Sequence, residues 1–176
     1  IGCHAVRRAN LVPNEYVVVV GVGPIGLGVA QFAHLAGAHV IAMDVSDSRL
    51  AFARQQTAIE HCIDGRNDIF EQLKAVIPDA LPTVVFDATG NAASMMKSFS
   101  YVAHGGRLVF VGLFQGDVTF NDPEFHRREL SVLASRNATA QDFDKVIAAL
   151  ESRKIDVKPW ITPSPSPEQM ILDFPT

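Results

Sequence analysis

The sequence predicts an α/β fold: a doubly wound, parallel six-stranded sheet with helices on both faces. Three observations predict it. Short apolar runs alternate with stretches of helical periodicity, the pattern of parallel strands covered by helices. The first apolar run, Tyr16-Val17-Val18-Val19-Val20, carries β-branched residues on both faces, as a strand buried on both sides requires. A glycine-rich turn, Gly21-Val22-Gly23-Pro24-Ile25-Gly26, joins that run directly to an amphipathic helix.

Ile1 to Asn10 reads as a helix end and Pro13-Asn14 as a turn ahead of the Tyr16–Val20 strand. Ile25 to Ala36 is a helix stopped by Gly37. His39 to Met43 is the second strand, ending at Asp44, and Ser46 caps a helix running to about Gln56. His61 to Ile63 is a short third strand, followed by a helix from Asp68 to Val76 that stops before Pro78. Thr83 to Phe86 is the fourth strand, closed by Asp87-Ala88-Thr89-Gly90, and Asn91 to Tyr101 is helical. Gly105-Gly106 turns into the fifth strand, Arg107 to Val111. Asp117 to Phe120 reads as a short exposed strand and Glu129 to Ala134 as the sixth strand of the sheet. Thr139, with Asp142 three residues on, opens the last long helix in a capping-box pattern. Right-handed crossovers then leave the order 3-2-1-4-5-6, the Rossmann arrangement.

The length suits one domain with a full core, and 48% hydrophobic against 19% charged residues makes the chain globular. We read residues 1–160 as the domain and residues 161–176 as a proline-rich tail, with the stretch from Pro159 onward extended or loosely packed. A net charge of −4 without a basic stripe argues against nucleic acid, and no apolar run is long enough for a membrane span. Two cysteines, Cys3 and Cys62, do not make a disulfide framework, so a reducing cytoplasm is the simpler location. The chain opens at Ile1 with neither Met nor a signal-like leader, and reads as a piece of something longer.

The glycine turn has a defined chemistry. Gly21 permits the tight turn, Gly23 lets a pyrophosphate approach the backbone, and Gly26 lets the helix pack on the strand. The helix N-terminus offers free N–H groups to phosphates, and Pro24 sits where a missing N–H costs little. Asp44 follows Gly21 by 23 residues, the spacing of the carboxylate that receives the ribose hydroxyls of NAD, although it could instead cap the next helix. Against NADP, each unit of 2′-phosphate charge at about 4 Å repels that carboxylate by roughly 4 kcal/mol at an effective dielectric of 20. Arg49 either lies along the adenine face or is a solvated helix charge, and it could also receive a 2′-phosphate, the main risk to the choice of NAD.

Five blocks in order resemble the coenzyme domain of zinc-dependent medium-chain alcohol dehydrogenases, in the polyol and sugar-acid branch: Gly2-Cys3-His4-Ala5-Val6-Arg7-Arg8-Ala9, Val20 to Gly26, Asp87-Ala88-Thr89-Gly90, Val111-Gly112-Leu113, and Ser135-Arg136-Asn137-Ala138-Thr139. The resemblance runs from Ile1 to about Phe174. It implies that Ile25 packs on the coenzyme, Asp44 holds the adenine ribose and Arg49 flanks the adenine. It adds Thr89 and Gly90 to the coenzyme site, borders the nicotinamide with Val111, Gly112 and Leu113, and brings Ser135 and Arg136 to the coenzyme or substrate cleft, with a surface role for Arg136 left open. The implied reaction is hydride transfer from a secondary alcohol to NAD, assisted by a zinc whose Cys, His and carboxylate ligands lie in a domain preceding Ile1. The chain therefore carries no catalytic residue of its own. It departs from the family at Ser152-Arg153-Lys154, where glycine is usual, and at Pro163, where histidine is frequent. A homodimer through the Asp117–Phe120 edge is also implied.

No metal site is expected within the chain. The adjacent pairs Cys3-His4 and His61-Cys62 point their side chains apart, and His104 and His126 read as loop or surface residues. Two rival readings stand beside the dehydrogenase: a non-catalytic NAD-sensing module, and an S-adenosylmethionine-dependent methyltransferase, the latter disfavoured by Gly26 and the Val111-Gly112-Leu113 block. A short-chain dehydrogenase is excluded, because Tyr16 and Tyr101 are followed four residues on by Val20 and Gly105, not lysine.

Overall fold

The computed structural model describes residues 1–161, 166 and 168–170. Most of the tail read as 161–176, Pro163 included, lies outside the described residues. Six parallel strands, β1 (Tyr16–Val20), β2 (His39–Asp44), β3 (His61–Asp64), β4 (Val84–Asp87), β5 (Arg107–Phe110) and β6 (Ser131–Ala134), form one sheet in the order β3-β2-β1-β4-β5-β6. The helices are α1 (Gly2–Ala9), α2 (Pro24–Leu35), α3 (Asp47–Gln56), α4 (Ile69–Val76), α5 (Ala92–Ser98), α6 (Asp122–Arg127) and α7 (Ala140–Glu151).

Strand alternation divides the core in two. Val17 and Val19 join Val40, Ala42, Val84 and Phe86 under α1, α2 and α3. Val18 and Val20 join Ile41, Met43, Val85 and Leu108 on the other face, under α4 and the turn holding Tyr101. The central β1 is thus apolar at every inner position because both of its faces are covered. The chain reverses from one half of the sheet to the other between β1 and β4, so a crevice opens at the carboxyl ends of these two strands.

Four expectations are corrected. Asp117 to Phe120 is not a strand: it has no neighbouring strand to complete a ladder, and Phe120, still partly exposed, packs on Phe99 and Phe125 at ring-centroid distances of 4.8 and 4.9 Å. The open sheet edge on that side is β6. Strand β6 starts at Ser131, not Glu129, because Glu129 takes a left-handed φ of 51° in the turn that ends α6. The helix expected to reach Tyr101 changes at Phe99 into a 3₁₀ turn, Phe99–Tyr101. The stretch from Pro159 is only partly extended or loosely packed where it is described: Lys158–Trp160 is a 3₁₀ turn with Trp160 packed partly on the core, and only then is Ile161 extended and exposed.

One polar cluster joins α1 to α7. Asp142, on α7 and 1% exposed, accepts from the Thr139 N–H (2.8 Å) and hydroxyl (2.7 Å), from Arg7 Nε (2.8 Å) and from His4 Nδ1 (2.8 Å) on α1. The Arg7 guanidinium bonded to it holds its carboxyl well below the usual carboxylate range, against the opposing effect of burial. A carboxyl depressed in the folded state stabilises fully above its unfolded pKa of about 4, and that contribution declines progressively as pH falls from there through the depressed folded-state value. Asp142→Asn should therefore cost about 2–3 kcal/mol at pH 7. Urea unfolding should show the gap to wild type narrowing at pH 3; a gap equal at both pH values would contradict the ion-pair role.

Candidate functional site

The crevice at the switch point is a cleft of about 600 Å³. Its floor is set by how closely α2 approaches β1. A Cβ added at Gly26 would lie 1.8 Å from the Gly21 carbonyl oxygen, a backbone atom that cannot yield. Only glycine lets the helix start there. Gly21 itself has a φ of +82° and donates its N–H to the Met43 carbonyl (2.7 Å), which fixes the turn against β2. Gly23 is different: nothing lies within 4 Å of a Cβ placed on it, so the space above it is open. The first hydrogen bond of α2 runs from Leu27 N to Gly23 O, leaving the Ile25 and Gly26 N–H groups ahead of the helical ladder.

Asp44 closes the loop from the side. It ends β2, is 5% exposed, and accepts from Val22 N–H through Oδ2 (2.8 Å) and from Ser46 N–H through Oδ1 (2.9 Å). The helix-cap alternative falls to Ser46, whose hydroxyl accepts from Arg49 N–H. A carboxylate has about four acceptor positions, so two remain for incoming hydroxyls. Arg49 Nη1 stands 3.7 Å from Asp44 Oδ2, with its side chain 59% exposed.

The structure gathers Gly21, Gly23, Pro24, Ile25, Gly26, Asp44, Arg49 and Thr89 around this one cleft. Gly90, Val111, Gly112, Leu113, Ser135 and Arg136 do not line it; they follow at the carboxyl ends of β4, β5 and β6. The β4 and β5 loops touch there through backbone alone, since a Cβ on Gly112 would come within 2.3 Å of Gly90 N. Leu113 is 84% exposed beyond that contact. Arg136 is exposed, whereas Ser135 is buried with no hydrogen-bond partner for its hydroxyl among the described residues.

Several lining residues escaped the sequence reading: Met43, Val45, Gly65, Asn91, Ser94, Lys97 and Tyr101. Behind them is Asp87, fully buried at the end of β4. Its Oδ1 accepts from Thr89 N–H (2.9 Å) and hydroxyl (2.6 Å), and its Oδ2 from the hydroxyls of Ser94 (2.7 Å) and Ser98 (2.9 Å). Its carbonyl accepts from Val111 and Gly112 N–H, both at 2.9 Å. One residue therefore ties the Thr89-Gly90 turn, α5 and the end of β5 together. The i, i+4 pair Ser94/Ser98 on the helix after Asp87 was the available signal. Burial pushes the Tyr101 phenol up, partly offset by the Lys97 amine beside it.

The cleft fits a dinucleotide: free N–H groups at a helix N-terminus for phosphates, an open glycine, a carboxylate with spare acceptors for ribose, and exposed apolar Ile25 and Val45 at its mouth. It does not fit a catalytic metal. Among the described residues no three His, Cys, Asp or Glu side chains are grouped so that they could hold a metal ion. Cys3 is buried in α1 and His4 turns to Asp142, while His104 and His126 are exposed.

Known proteins share this architecture. The family model described as zinc-binding dehydrogenase matches residues 24–152. L-galactonate-5-dehydrogenase of Escherichia coli is 42% identical over 92% of this chain and 48% of its own length. L-idonate 5-dehydrogenase of Vitis vinifera is 34% identical over 92% of this chain and 45% of its own. A crystal structure of an Escherichia coli oxidoreductase/dehydrogenase of unknown specificity superposes with a TM-score of 0.84 at 27% identity, covering 92% of this chain and 46% of that one. The chain thus spans about half the length of the curated relatives it matches. With the family match running from the first turn of α2 to the end of α7, the chain belongs to the zinc-binding dehydrogenase family.

Proposed function

We propose that this chain is the NAD-binding part of a dehydrogenase that oxidises a secondary alcohol of a polyol or sugar acid to a ketone. The observation that carries the reading is Asp44, a buried carboxylate beside the glycine turn with two acceptor positions unused. In this reading Gly21, Gly23, Pro24, Ile25 and Gly26 take the pyrophosphate, Asp44 the adenine ribose, and Arg49, Val45 and Thr89 the adenine walls. Gly90, Val111, Gly112 and Leu113 border the nicotinamide, and Ser135 and Arg136 reach the coenzyme or substrate cleft. When bound, NAD supplies the hydride acceptor. The chain's own residues bind and orient it, and Asp87 holds the loops that border its nicotinamide end.

Residues 1–160 form the coenzyme domain in this proposal, and residues 161–176 return toward the substrate-binding part. The zinc implied by the family is held, in this proposal, by that other part. Among the described residues no helix is long and apolar enough to cross a membrane, and both cysteines are free, which suits a cytoplasmic enzyme. A homodimer through Asp117–Phe120 would need that segment to become a strand on pairing.

Calorimetric titration tests the ligand. The chain should bind NAD at one site, NADP at least tenfold more weakly, and S-adenosylmethionine not at all, and it should show no alcohol oxidation alone. Tighter binding of NADP than of NAD would overturn the role of Asp44.

Two glycine substitutions separate binding from folding. Gly23→Ala should leave stability within about 0.5 kcal/mol of wild type yet weaken NAD binding tenfold or more. Gly26→Ala should instead lower stability by about 1–3 kcal/mol, because its Cβ meets backbone. Unchanged NAD affinity in folded Gly23→Ala, read by calorimetry beside a melting curve, would contradict the phosphate assignment.

A further inference from the structure

A second arginine stands next to the ribose end of the cleft without lining it, and it is restrained. Arg66 follows Gly65, which lines the cleft and whose N–H bonds to the Asp44 carbonyl (2.9 Å). Its guanidinium bridges the end of β3 and the start of α3. Nε donates to Asp64 Oδ1 (2.8 Å), and Nη2 donates both to Asp64 Oδ2 (2.7 Å) and to Asp47 Oδ1, at the first residue of α3. Asp64 is itself pinned, accepting also from Arg66 N–H (2.9 Å) and Asn67 Nδ2 (3.0 Å). Asp47 is 78% exposed, lines no part of the cleft, and has Arg66 as its ion-pair partner.

The charges around this end are therefore three carboxylates, Asp44, Asp47 and Asp64, against two guanidinium groups, Arg49 and Arg66. Both arginines are already engaged. A 2′-phosphate needs charge-assisted donors in a fixed arrangement. Arg49 could turn to it from its loose 3.7 Å contact, but Arg66 is bonded on two sides by closer partners.

We propose that Asp47 and Asp64 are coenzyme-specificity residues that act through Arg66, holding it off the adenosine 2′ position so that the site accepts a free ribose hydroxyl and refuses a 2′-phosphate. They are positioning residues: neither touches the coenzyme. The proposal rests on the NAD reading and extends it. Refusal of NADP comes from a restrained cation as well as from the Asp44 charge, and releasing the cation recovers part of the lost affinity.

The test is a double-mutant cycle on the whole chain, with NAD and NADP dissociation constants as the two readouts. Asp47→Asn should raise NADP affinity about fivefold, a gain on the scale of one exposed ion pair, and leave NAD affinity within twofold. Asp64→Asn, made as a second variant, should change the NADP-to-NAD ratio in the same direction. In an Arg66→Gln background, Asp47→Asn should raise NADP affinity less than twofold. An equal gain with and without Arg66 would mean that Asp47 acts by its charge alone and would overturn the proposal. Intact NAD binding with no NADP gain in either Asp variant would overturn it too, leaving the NAD reading standing. Failure of the unmodified chain to bind NAD would overturn both.

Discussion

The approach of Gly26 to the Gly21 carbonyl is the constraint on which the site depends. It lets α2 begin within one turn of the end of β1, so the helix N-terminus points into the crevice where the sheet reverses direction. Once that geometry is set, Val22 N–H has no helical partner and turns to Asp44, which latches the loop to β2. The same device recurs across the crevice, where Gly112 lies against Gly90 and joins the β4 and β5 loops without any side chain between them. Close backbone contacts of this kind leave little freedom for the groups they carry, as a binding site assembled from three separate loops requires.

Two buried carboxylates extend this order in opposite directions. Asp87 looks toward the cleft, spending its side chain on Thr89, Ser94 and Ser98 and its carbonyl on Val111 and Gly112. Asp142 looks away from it, fastening α7 to α1 through Arg7 and His4. Each has several donors converging on it, which is how a charge is tolerated in a low-dielectric interior. The first keeps the cleft walls in register; the second holds α1 and α7 against each other, on the face of the sheet that also carries α2.

Local chemistry made much of this legible from sequence. The six strands and their order follow from apolar runs whose length and branching suit strands buried on both faces, and from a turn whose glycines have individual reasons to be glycine. Asp44 was readable because its spacing from Gly21 is fixed by one helix and one strand. What depends on tertiary partners was not readable. Asp117-Val118-Thr119-Phe120 alternates like a strand, but alternation does not supply a neighbour, and Phe120 found Phe99 and Phe125 instead. Helix α6 has a readable start in Asn121-Asp122-Pro123, yet six residues carry too little periodicity to announce it. Lys97 and Tyr101 look like any i, i+4 helical pair until the cleft is seen, and Arg7 lies 135 residues from Asp142 in the chain.

The most direct test of the account is a crystal structure of this chain grown with NAD. The pyrophosphate should lie on the N–H groups at the start of α2, above Gly23, with both adenine-ribose hydroxyls donating to Asp44 while Val22 N–H keeps its bond to the same carboxylate. A nucleotide bound away from this cleft, or one whose ribose leaves Asp44 uncontacted, would contradict it.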